Sequence, residues 1–101
     1  MLILIDATKS PAQLKLADPD NFRGFAVQLQ GDGAAAEDAF STLGRGDGDH
    51  VFVDVDALRD LAGERAEDLA WTDSLSQMVA YAGAHGWLDE SGRIRAHIER
   101  S

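Results

Sequence analysis

The chain has no cysteine. Thiolate catalysis, iron–sulfur ligation and cysteine-based zinc sites are therefore excluded. So is a disulfide-stapled secreted module, and the composition fits a reducing compartment. Proline is almost as scarce, occurring only at Pro11 and Pro19. No stretch rich in proline, glycine or serine is long enough to act as an interdomain linker, so residues 1–101 are read as one domain. Basic residues are few: nine Lys and Arg against 18 Asp and Glu, a net charge of −9 at pH 7. Such a field repels phosphate backbones, which need clustered cations, so no nucleic-acid partner is expected. Long hydrophobic runs are also missing. Residues 1–5 are apolar, but Asp6 interrupts them, well short of the ~20 apolar residues of a membrane span and without a basic leader. A soluble cytoplasmic protein, with no membrane association, is the expectation.

What is present suffices for a core. Apolar residues make up 45% of the chain, and a domain of this size buries roughly two-thirds of its unfolded surface without metal or disulfide. Residues 2–5 read as a short strand, apolar on both faces. From Ala7 to Asn21 no period holds, and a helical turn is expected around 12–16. Residues 24–30 alternate, with Phe25, Val27 and Leu29 opposed to Ala26, Gln28 and Gln30. Asp32 is placed to N-cap a helix over 33–43 that buries Ala36, Phe40 and Leu43, with Gly44 as a left-handed stop. Residues 46–49 read as a flexible acidic loop, and 50–55 alternate again. Asp56 is placed to cap a short helix over 57–62, ended by Gly63.

A longer helix follows from Asp68 or Thr72 to His85. Trp71, Leu75, Met78, Val79 and Ala82 form its apolar stripe. Gly86 supplies the left-handed residue after it, and Trp87 can then cover Ala82. Residues 89–92 read as a turn. In 93–99, Ile94, Ala96 and Ile98 share one face, opposite Arg93, Arg95, His97 and Glu99. The order β-β-α-β-α-α-β predicts a two-layer α+β sandwich. Its sheet has about four strands, mostly antiparallel or mixed, with helices on one face.

Several motifs invite chemistry. Gly31-Asp32-Gly33-Ala34-Ala35-Ala36 has dinucleotide-fingerprint spacing, with Asp54 about twenty residues on. Against it, the preceding strand alternates, and Asp32 would set a carboxylate beside the pyrophosphate; a glycine-flanked Asp32 N-cap is the simpler reading. Asp47-Gly48-Asp49-His50 lacks the glycine and distal glutamate of an EF-hand, so it reads as a solvated acidic loop. Asp54 and Asp56 could share an ion or shift each other's pKa, yet one cap and one polar sheet position explain them as well. His50, His85 and His97 show no metal-ligand spacing on a helix. No metal site and no cofactor are expected.

Charge is unevenly spread. Residues 46–90 hold eleven acids against Arg59 and Arg65 only, whereas the first 45 residues are nearly neutral and the last strand is mildly basic. The leading expectation is a non-enzymatic interaction or accessory module that self-associates, as a dimer, through an incompletely covered sheet. The acidic segment would suit a basic protein partner. The alternative is a small cofactor-independent enzyme, with isomerase- or hydrolase-like acid–base chemistry on a small anionic metabolite at the open sheet face. There His97 would shuttle the proton, Asp54 would orient it, and Arg95 and Gln28 would hold the anion.

Overall fold

Period-two alternation builds the sheet, and the computed structural model describes it for residues 1–100. The strands are β1 (Leu2–Asp6), β2 (Gln13–Ala17), β3 (Ala26–Gln30), β4 (Gly44–Asp47), β5 (His50–Val53) and β6 (Ile94–Arg100). Three helices, α1 (Ala34–Leu43), α2 (Val55–Ala62) and α3 (Leu69–Ala84), accompany them, with a 3-10 segment at Gly63–Glu67. The chain is thus α+β, with one open mixed sheet of six strands in the order β2-β1-β3-β6-β5-β4. β1, β3 and β6 run parallel, and the outer pairings are antiparallel.

Register explains the core. Ile3 faces Val27, Val27 faces Ile98, Val51 faces Ala96 and Val53 faces Ile94. All are buried on one face of the sheet, in a single cluster with Ala36, Phe40 and Leu43 of α1, Leu58 of α2, and Trp71 and Leu75 of α3. Each fully buried aliphatic side chain here contributes roughly 1.5–3 kcal/mol relative to exposure. The expected stripe on the long helix is the one that packs. Trp71 also donates its indole N–H to the Pro19 carbonyl at 2.8 Å, which ties α3 to the loop before β3. Among the described residues no helix is long and apolar enough to cross a membrane.

Two of the six strands depart from expectation. The segment expected as a helical turn is β2, because Leu14 and Leu16 alternate with Gln13 and Lys15 and pair with β1. The segment expected as a flexible loop, 46–49, begins with the second half of β4, a Gly-Arg-Gly-Asp strand held extended by its pairing with β5. The strand count is therefore six rather than about four. Intrinsic propensity cannot signal β4, since glycine and aspartate are both poor strand formers.

Three helix-end assignments also change. The N-cap of α1 is Gly33, and no side chain caps it, so Asp32 is not a cap. The N-cap of α2 is Asp54 rather than Asp56; Asp56 sits in the first turn and pairs with Arg59 at 3.0 Å. Gly44 is not a left-handed stop but the first residue of β4. Its role is steric, because a β-carbon there would collide with the Phe52 carbonyl oxygen. By contrast Gly86 is left-handed (φ 73), and Trp87 N–H reaches the Ala82 carbonyl at 2.9 Å, as the sequence predicts.

The collision at Gly44 gives a first test. Gly44→Ala should destabilise the fold by roughly 1–3 kcal/mol, since backbone rather than a flexible side chain must yield. A drop in the urea midpoint without a change in slope is the expected reading. Gly48→Ala serves as a control for positive φ without crowding, because nothing lies near its missing β-carbon.

Candidate functional site

Alternation leaves one face of the sheet uncovered. Leu2, Leu4, Ala26 and Phe52 are half-buried on it, among Lys15, Gln28, Arg95, His97 and Glu99, which are exposed. Pairing sets these residues in rows. Lys15, Leu4, Gln28 and Glu99 make one row; Leu2, Ala26, His97, His50 and Asp47 make the next; Arg95, Phe52 and Arg45 make the third.

The expected site residues are distributed as follows. Gln28, Arg95 and His97 all lie on this face. Gln28 donates to the Glu99 carboxylate at 3.3 Å. His97 lies edge-on to His50, with ring centroids 5.5 Å apart. Asp54 sits at the end of β5, where its carboxylate accepts from Arg93 Nε at 2.9 Å. Among the described residues no hydrogen bond or ion pair joins Asp54 to His97.

The residues that sequence reasoning missed are His50, Phe52 and Arg45, which pairing between β4, β5 and β6 brings beside His97 and Arg95. Arg45 lies over the Phe52 ring, its guanidinium carbon 4.6 Å from the centroid. Nothing in a single sequence reports which strands are neighbours. Glycine geometry also accounts for the apparent dinucleotide motif. Gly31 and Gly33 both have positive φ, and a β-carbon at Gly31 would press on the Ala7 carbonyl carbon. The Asp47–His50 segment is a hairpin turn with Gly48 at φ 61. Among the described residues no cluster of three or more His, Asp or Glu could hold a metal ion.

Two grooves flank the central strands. One, of about 580 Å³, lies at the carboxyl ends of β1 and β3 and includes Asp6, Lys9, Lys15, Gln28, Glu99 and Arg100. The other, of about 400 Å³, lies at their opposite end, against the last turns of α3. The cations divide accordingly. Lys9, Arg45, Arg59, Arg65 and Arg93 are all in ion pairs. The remaining four, Lys15, Arg23, Arg95 and Arg100, each line one of these grooves.

A polar network fixes the turn that feeds β6. Asp89 accepts from the Ser91 and Arg93 amides, both at 2.9 Å, and its other oxygen lies 3.4 Å from Arg93 and 3.7 Å from Arg45. Burial pushes the Asp89 carboxyl up, but the Arg93 amide, the Ser91 amide and the Arg93 guanidinium together outweigh it. Its pKa therefore falls below the usual aspartate value. Arg93 is raised in turn, chiefly by its bond to Asp54. Comparison of the chain with protein-family models, curated proteins and solved structures finds no match.

Because Asp89 is depressed in the folded state, its stabilisation is present above the unfolded value of about 3.9 and is lost as pH falls through the lower folded value. Asp89→Asn should thus be less stable than the parent at neutral pH. The gap should narrow as the pH falls from about 4 toward 2, which chemical denaturation at stepped pH would measure.

Proposed function

We propose that this chain is a non-enzymatic interaction module that works as a symmetric homodimer, with the open sheet face of one copy laid on that of another. The observation that carries this reading is the order of outward residues on β6. Arg95 and Glu99 flank His97 at equal distances along the strand, one residue pair to each side. A two-fold axis through His97, lying across the strands in the plane between the sheets, brings Arg95 of each copy over Glu99 of the other. The contact is isologous, as a closed dimer requires. Facing sheets pack about 10 Å apart, a gap that arginine and glutamate side chains together span.

The surroundings suit the same arrangement. Leu2, Leu4, Ala26 and Phe52 supply half-exposed apolar surface on the same face. Arg95 has no ion-pair partner within its own chain among the described residues, and Glu99 is held only by a neutral amide. The helix layer carries most of the acidic residues of segment 46–90, and its two cations, Arg59 and Arg65, are neutralised by Asp56 and Asp20. Stacking through that layer would press like charges together, so the open sheet face is the side on which two copies of a −9 chain meet with least repulsion. The acid–base alternative draws less support, because Asp54 is committed to Arg93.

Charge exchange tests the pairing. Arg95→Glu or Glu99→Arg alone should weaken the dimer at least ~10-fold by placing like charges opposite each other twice. The double exchange R95E/E99R should restore it. Sedimentation velocity across a concentration series is the measurement, with circular dichroism to confirm that each variant keeps its fold. A monomer for the parent chain at high concentration, or no rescue in the double variant, would overturn the reading.

A further inference from the structure

We infer that the groove between the end of α3 and the start of β3 is a binding site for a planar aromatic carboxylate of one or two rings. Its walls are Phe22, Phe25, Met78, Tyr81 and Trp87, with Arg23 beside them. Two of these rings are left open to solvent, and among the described residues Leu69, at the start of α3, is the other large apolar side chain that is exposed. Tyr81 is 59% exposed and Trp87 37%. Their exposure is not the looseness of a frayed end. Tyr81, His85 and Trp87 pack together, with ring centroids 4.2 Å apart for Tyr81 and His85 and 4.8 Å for His85 and Trp87. The left-handed Gly86 and the Trp87-to-Ala82 backbone bond hold that arrangement in place. A preorganised aromatic wall binds a flat ring at little further entropic cost.

Arg23 supplies the polar anchor. Among the described residues its guanidinium has no ion pair or hydrogen bond, although acids outnumber bases two to one in the chain. A planar guanidinium matches a carboxylate through two parallel hydrogen bonds. The net charge of −9 opposes each further negative charge on a ligand, which favours a monoanionic carboxylate over a dianionic phosphate. A volume of about 400 Å³ is at the small end for ligand pockets. That limits the occupant to one ring or a fused pair. The site shares Arg95 with the proposed dimer face, but its anchor and its aromatic wall, Arg23 and Trp87, lie outside the sheet, so Arg23→Gln separates the two readings.

The test uses 1-naphthoate and its neutral analogue 1-naphthalenemethanol, titrated into the intact protein and followed by the indole N–H resonances. Trp87 should shift with naphthoate while Trp71, buried and bonded to Pro19, stays in place. Naphthoate should bind more tightly than the alcohol. Arg23→Gln should weaken naphthoate about tenfold and leave the alcohol unchanged. The inference is overturned if Trp87 does not move at millimolar probe, if both probes bind equally, or if Arg23→Gln leaves naphthoate binding intact. Sedimentation of Arg23→Gln should match the parent chain, so failure here leaves the dimer reading standing.

Discussion

The pairing of β6 on both its edges is the constraint on which this fold depends. β2, β1 and β3 form one half of the sheet, and β5 and β4 form the other. β6 alone joins them, parallel to β3 and antiparallel to β5. It is also the last strand in sequence order, so the two halves unite only once this strand is in place. The contacts it makes span long stretches of sequence, and loop-closure entropy must be met before burial of Ile94, Ala96 and Ile98 returns anything. This explains how firmly the approach to β6 is fixed: a left-handed glycine at the end of α3, the Asp89 turn, and Arg95 N–H bonded to the Trp87 carbonyl at 2.9 Å.

The same strand organises the exterior. Three of its residues point into the core and the alternate ones lie in the middle of the uncovered face. One seven-residue segment therefore fixes the hydrophobic centre and the chemical character of the surface opposite. Asp54 belongs to this economy. Its carboxylate clamps Arg93 just before β6 begins, which anchors the β5–α2 junction to the incoming strand. The sequence shows this acid without its partner; the fold supplies Arg93.

Local pattern made much of this legible. The alternation of β3, β5 and β6, the apolar stripe of α3 and its Gly86 stop follow from side-chain periodicity and backbone conformation, which a short window of sequence contains. β2 and β4 did not follow. β2 shows only two alternating leucines between prolines, and β4 has almost no propensity of its own; both exist because a neighbour offers hydrogen bonds. The cap positions failed for a related reason. Asp32 and Asp56 are good caps in isolation, but the helices begin one or two positions away, where strand geometry delivers the chain. Of the site, the residues on β6 were legible and their companions on β4 and β5 were not, since strand adjacency is a property of the whole sheet.

The two edges of the sheet carry a consequence for how assemblies can grow. β2 and β4 are five and four residues long, and β4 interleaves two glycines with an arginine and an aspartate. Edges that are short, charged and poor in side-chain contacts make weak templates for adding another strand. Lateral growth, which has no natural stopping point and leads toward fibres, is thereby disfavoured. In the dimer proposed above, contact through the broad face would saturate instead, because each copy uses up its open sheet face on the other.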